Sequence, residues 1–191
     1  EEVHTLMNET LEGLARVKTI IQDLKDFART NASAYYVAAD IHIGLKSTLN
    51  IARNQLKNRA EVNLSLGNLP MVECSPSQID QVFLNLIVNG AQAMPDGKFG
   101  LIHIRTDCNQ KQVWIEIEDN GPGMAPAVAE KIFDPFFTTK GPGKGTGLGL
   151  SVSRSIIQQH GGNLEVDSTV GVGTTFKITL PIKQPEAKGQ A

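Results

Sequence analysis

Between residues 119 and 150 this chain reads DNGPGMAPAVAEKIFDPFFTTKGPGKGTGLGL, and the spacing of glycines there restricts its fold more than any other feature. An acid runs straight into a tight turn at Asp119-Asn-Gly-Pro-Gly123, and Gly145-Thr-Gly-Leu-Gly149 runs straight into an apolar periodic stretch. A loop rich in phenylalanine joins the two. Packing of a hydrophobic core does not by itself ask for such an arrangement. Bare glycine backbone at the start of a helix lets N–H groups and the positive helix end face an anion, and phosphate is the natural guest. A merely flexible loop accounts for Gly141 and Gly143, but poorly for the regular Gly145, Gly147 and Gly149.

Commoner phosphate loops fail on spacing. A Walker loop needs G-x-x-x-x-G-K-[ST], yet Lys144 is followed by Gly145 and no strand leads in. A dinucleotide fingerprint needs G-x-G-x-x-G after a strand, whereas here alternate glycines follow a loop.

Periodicity supplies the frame. Residues 3–28 carry two interleaved seven-residue series, Val3, Val17, Leu24 and Met7, Leu14, Ile21, Ala28, which is the pattern of a bundle-type helix needing a partner over its seam. A second amphipathic helix is expected over 41–60, after a short hinge-like linker. Strands follow at 62–66, 101–106, 113–118, 163–167 and 174–180, with helices at 77–94, near 126–132 and at 148–160. The fold class is α+β. Residues 183–191 have no periodicity and read as a frayed tail.

Onto this frame fall the candidate site residues. Asp119 ends a strand whose Val113, Ile115 and Ile117 alternate inward, so its carboxylate is anchored where it can accept from an exocyclic amine such as adenine N6. Taken alone, an Asx-turn is the simpler account. Asn85 and Asn89 sit at i, i+4 on one face of an otherwise apolar helix, where amides are costly unless satisfied. Oxygen donors of that kind are what Mg²⁺ takes alongside phosphates. All four histidines read as structural, His160 being well placed at a helix end for the dipole.

Charge and cysteines exclude some classes. A net charge of −2 without a dense basic block gives no footprint for nucleic acid or an anionic membrane. The longest apolar runs fall far short of the ~20 residues of a membrane span. Cys74 and Cys108 lack a metal-type or disulfide pattern, so a reducing, cytoplasmic setting is expected. The chain starts at Glu1, without Met and already in helical pattern, which suggests a fragment.

Four blocks in order resemble those of sensor histidine kinases: residues 81–94 (QVFLNLIVNGAQAM) the N box, Asp119-Asn-Gly-Pro-Gly123 the G1 box, residues 133–140 (FDPFFTTK) the F box, and residues 145–150 (GTGLGL) the G2 box. Residues 171–176 (GVGTTF) resemble the closing G3 element. The resemblance implies a Bergerat-type two-layer sandwich over residues 40–182, preceded by the second helix only of a dimerisation and phosphoacceptor stem (1–31) and a linker (32–39). It implies that Asp119 holds the adenine amino group, with Gly121 and Gly123 at the turn and Thr174 assisting through water. Asn89 would ligate Mg²⁺, with Asn85 toward the phosphates of ATP. Residues 125–145 would form a lid that Phe136 and Phe137 pack down, with Lys140 a γ-phosphate contact. Gly145, Thr146, Gly147, Leu148, Gly149 and Leu150 would line the phosphate cradle. The implied partners are a response regulator, the acceptor hairpin and, in the parent, a second copy; the parent is a protein-histidine kinase that could be membrane-anchored.

The acceptor motif itself has no match. His4 stands in Val-His-Thr-Leu, so no catalytic residue is assigned and the chain is expected to bind ATP without phosphorylating itself. The alternatives are a related ATPase of the gyrase, mismatch-repair or chaperone type, and an ATP-dependent binding module not acting on histidine; the Phe-Asp-Pro-Phe-Phe block argues for the kinase branch.

Overall fold

The structure, a computed structural model, describes Met7, Thr10, Gly13, Leu14 and residues 35–141 and 145–184. Most of the expected stem, the expected tail from 185 onward and the middle of the glycine loop lie outside the described residues. The four described stem residues are helical, with Met7 and Leu14 exposed.

In chain order the elements are β1 (Val37–Ala39), α1 (Ile41–Leu56), β2 (Ala60–Leu66), β3 (Val72–Cys74), α2 (Pro76–Ala93), β4 (Gly100–Cys108), β5 (Gln112–Asp119), α3 (Pro126–Ala129), α4 (Gly149–Gln159), β6 (Asn163–Thr169) and β7 (Gly173–Pro181). Five strands form one sheet in the order β2-β4-β5-β7-β6, parallel between β2 and β4 and antiparallel elsewhere. The expected α+β sandwich is therefore what forms.

Local chemistry sets the element ends. Asp40 caps α1 by accepting from the His42 backbone N–H at 2.8 Å. Apolar residues Ile41, Leu45, Ala52 and Leu56 fall on its buried stripe with Thr48. The helix stops at Leu56 rather than running to 60, because Ala60 opens β2 opposite Gly100 and the Gly100 N–H donates to Arg59 O at 2.8 Å. Pro76 starts α2 at a position whose N–H has no helical partner in any case. From there Ile79, Val82, Phe83, Leu86, Ile87 and Ala91 turn inward, each of the larger ones worth roughly 1.5–3 kcal/mol on burial.

The three long helices cover one face of the sheet, with α2 between α1 and α4. They meet the inward rows Ile102 and Ile104, Val113, Ile115 and Ile117, and Phe176, Ile178 and Leu180. The opposite face is polar. There Arg105 bonds Glu116 and Glu118 at 3.3 and 2.7 Å, and Lys177 bonds Glu116 at 3.0 Å. Lys177 holds the Glu116 carboxyl below its usual range despite partial burial.

Two strands escaped the sequence reading. Val37–Ala39, read as linker, pairs antiparallel with Val72–Cys74. Three residues are too few to display alternation. The histidines are structural where described, but His160 is not the helix-dipole cation expected of it. It is fully buried, with Nδ1 2.7 Å from Ile156 O and Nε2 accepting from the Ser75 N–H at 3.0 Å, so the ring is neutral. Burial lowers its pKa.

Candidate functional site

One end of the sandwich gathers the predicted residues. The last residue of β5, Asp119, is 6% exposed and its Oδ1 accepts from the Gly121 N–H at 2.9 Å. Burial raises its pKa, against the lowering effect of backbone N–H groups of Gly121 and Thr174. An ionised carboxylate has about four acceptor positions, so the Asx-turn bond leaves capacity for a ligand. The Asx-turn of the sequence reading is therefore formed without using up the carboxylate.

Behind Asp119 the turn needs its glycine. Gly123 has φ +65°, and a Cβ there would run into Thr169 O. The Gly171 N–H donates to Pro122 O at 2.7 Å, fixing the turn against the β6–β7 hairpin. Thr174 faces Asp119 across the β5–β7 register, and its hydroxyl lies 2.9 Å from Ser168 Oγ. Ser168 Oγ in turn accepts from the Met124 N–H at 2.9 Å.

Across the cleft runs α2. Asn85 Nδ2 lies 3.2 Å from Gly149 O and 3.3 Å from Ser153 Oγ, which staples α2 to the first turn of α4. One turn on, Asn89 Oδ1 accepts from Lys140 Nζ at 3.2 Å. The two amides sit on one face as their spacing requires, with different partners.

At the start of α4, Leu148 is buried and its carbonyl accepts from Val152 N–H at 2.9 Å, closing the first helical turn. The N–H groups of Gly149, Leu150 and Ser151 belong to the first turn, which has no intrahelical acceptors. Gly147 has φ +70°, and a Cβ on it would strike the Phe136 backbone. This contact is a latch, since the Phe136 N–H donates to Gly147 O at 3.0 Å. Thr146 Oγ1 lies 3.4 Å from the Leu148 N–H, and Gly145 lies against Thr138 and Lys140.

The aromatic assignment is corrected in one respect. Phe137 packs against the core, but Phe136 is 67% exposed at φ 67°. Its backbone is held by Gly147, which turns the side chain outward. Phe133 takes the expected packing role, partly buried with the Arg154 guanidinium 4.8 Å from its ring centroid. The sequence also passed over Gln92, whose spacing of i+7 from Asn85 and i+3 from Asn89 places it on the same face. Lys140 Nζ bonds Gln92 Oε1 at 2.6 Å.

Two apolar grooves of about 290 and 300 Å³ lie elsewhere, one along α1 and β2 and one between α1 and the start of α2. Neither includes Asp119 or Asn89. Among the described residues no His, Cys, Asp and Glu cluster could hold a metal ion, and no helix is long and apolar enough to cross a membrane.

Comparison with known proteins identifies the family. The family described as histidine kinase-, DNA gyrase B-, and HSP90-like ATPase matches residues 74–184. The chain is 36% identical over 180 residues to sporulation kinase E of Bacillus subtilis (strain 168), covering 93% of this chain and 24% of that protein. It is 33% identical over 184 residues to the sensor histidine kinase ZraS of Escherichia coli (strain K12), covering 95% and 38%. The chain therefore spans about a quarter to two-fifths of these relatives. Among solved structures, the nucleotide-free catalytic domain of histidine kinase ThkA superposes with a TM-score of 0.69 at 29% identity, covering 78% of this chain and 99% of that one. ThkA in complex with the response regulator protein TrrA gives 0.76 at 25% identity, covering 95% and 52%. With the family model matching more than half of its length and relatives more than 30% identical over nearly all of it, the chain belongs to the histidine kinase-, DNA gyrase B-, and HSP90-like ATPase family.

Proposed function

We propose that this chain is the ATP-binding catalytic part of a sensor histidine kinase, whose parent passes the γ-phosphate of ATP to a histidine on a helical hairpin and onward to a response-regulator aspartate. The observation that carries the reading is that α2 touches both halves of the predicted site, with Gly90 against Asp119 and Asn85 bonded to Gly149 at the start of α4. Residues 40–182 form the nucleotide-binding unit and residues 1–31 a part of the stem. The free thiols of Cys74 and Cys108 suit a reducing, cytoplasmic setting.

Each residue has a task its surroundings permit. Asp119 accepts from the adenine amino group, and Gly121 and Gly123 keep the backbone close to the base, with Thr174 alongside. The N–H groups from Gly147 to Leu150 receive phosphate oxygens at the positive end of α4. Asn89 offers its amide oxygen to Mg²⁺. The donor fits, because a cation, the Lys140 ammonium, already rests on that oxygen. When bound, Mg²⁺ neutralises and orients the phosphate oxygens. Asn85 keeps α2 and α4 in register, and Lys140 turns to the terminal phosphate.

In the transfer the bond between the γ-phosphorus and the β–γ bridging oxygen breaks, ADP leaves with that oxygen, a P–N bond forms to the acceptor imidazole, and the imidazole N–H proton passes to solvent. The cleft supplies positioning and charge compensation rather than a nucleophile. The kinase reading is favoured over an ATPase of another branch by the relatives, which are named as a sporulation kinase and a sensor histidine kinase.

The test is to mix the chain with a separately supplied acceptor hairpin and ATP labelled at the γ-phosphate. Acid-labile, base-stable label on the hairpin and none on the chain alone is the expected result. Steady release of inorganic phosphate with no labelled hairpin would overturn the kinase reading.

A further inference from the structure

The assignment of the cleft leaves Gln92 without a task. It is exposed near the C-terminal end of α2, yet it makes the shorter of the two bonds to the Lys140 ammonium, 2.6 Å against 3.2 Å to Asn89. Lys140 belongs to the segment whose backbone is tied to the glycine cradle through the Phe136 N–H on Gly147 O. That segment is thus fastened at two points, by its backbone to the lead-in of α4 and by its ammonium to α2. Lys140 is partly buried, and its side chain lies against Gly145.

The chemistry of the two acceptors matters. Both are neutral amide oxygens, and among the described residues no ion pair includes Lys140. A charge-assisted bond to an amide orients an ammonium without neutralising it. A carboxylate in the same place would neutralise it and compete with a phosphate for it. An ammonium held by amides keeps its full charge available to an arriving anion.

We infer that Gln92 is a positioning residue: with Asn89 it holds the Lys140 ammonium, and with it residues 133–141, against α2, and it releases the ammonium to the polyphosphate on binding. The inference rests on the nucleotide reading of the cleft for its second half only. The tie itself is made by groups of this chain alone. It also explains why position 92 carries an amide and not an acid, since the latch must give way to a phosphate.

Trypsin reads the latch directly, because it must engage the Lys140 side chain to cut between Lys140 and Gly141. Cutting at that bond is followed by mass spectrometry on the nucleotide-free chain, with the cut after exposed Lys131 as internal reference. Gln92→Ala is expected to speed the Lys140 cut severalfold and leave the Lys131 cut and the melting temperature unchanged. Gln92→Glu is expected to slow it roughly threefold, the effect of a partly exposed ion pair. The same Glu variant should weaken ATP binding more than ADP binding, because the ammonium is then held back from the terminal phosphate. Equal Lys140 cutting in wild type and Gln92→Ala would overturn the proposal. So would equal loss of ATP and ADP affinity in Gln92→Glu. The cutting assay contains no nucleotide, so its failure sinks the latch alone, whereas a wild-type chain that takes up no nucleotide sinks the reading of the cleft.

Discussion

Two backbone positions with positive φ, Gly123 and Phe136, show how much of the cleft is set by single residues. At Gly123 both the conformation and the space exclude a side chain, since φ is +65° and Thr169 O stands where a Cβ would go. Gly123→Ala is expected to cost about 2 kcal/mol, through backbone strain and displacement of the β6–β7 turn, measured by urea unfolding. Phe136 is the opposite case. It pays left-handed strain while 67% exposed, so Phe136→Gly should leave stability within about 1 kcal/mol of wild type. Phe137→Ala, which removes an aromatic packed on the core, should cost clearly more in the same measurement. The sequence could name Asp119, because it ends a clean alternation beside a glycine turn. It named Phe136 with Phe137 as the packing pair and passed over Phe133, because an aromatic in a loop looks alike whether it faces the core or the solvent. The φ that decides the matter is imposed by Gly147, eleven residues on.

At the scale of elements, α4 connects two chemically different ends. Its N-terminal turn carries the glycine cradle, and its C-cap His160 reaches the Ser75 N–H between β3 and α2 and the Tyr36 ring just before β1, 4.9 Å away. Because Nε2 accepts and Nδ1 donates, this ring works only when neutral. Burial lowers its pKa below the ordinary 6.5, so the unfolded chain takes up the proton first as pH falls. The stabilisation is therefore fully present above about pH 6.5 and declines below it, by at most about 1.4 kcal/mol per pH unit. Thermal melting between pH 7.5 and 5 should fall more steeply for wild type than for His160→Gln, which keeps an acceptor but does not titrate. Equal slopes would assign the pH dependence to other groups. Long elements were legible, from α2 and α4 to the five longer strands, because each repeats its period several times. The strands β1 and β3 were not, since their pairing is decided by chain neighbours that no local pattern encodes.

On the scale of the whole molecule, the helices cover one sheet face and leave the cleft at the end where β5 stops, α4 begins and the N-box face of α2 passes. That convergence was readable from sequence because each of its parts carries its own signal: an acid after alternation, amides at i, i+4 and glycines before a helix. What could not be read was how the parts bond to one another. Asn85 turns out to staple two helices, and Lys140 to rest on Asn89 and Gln92, contacts that join residues far apart in sequence. The central claim is that this cleft binds ATP through Asp119, and calorimetric titration of ATP with and without Mg²⁺ into wild type and Asp119→Ala tests it most directly. Saturable binding by wild type, tighter with Mg²⁺ and abolished by Asp119→Ala in a variant that still unfolds cooperatively, is the predicted result. Binding of equal strength by the variant, or none by the folded wild type, would contradict it.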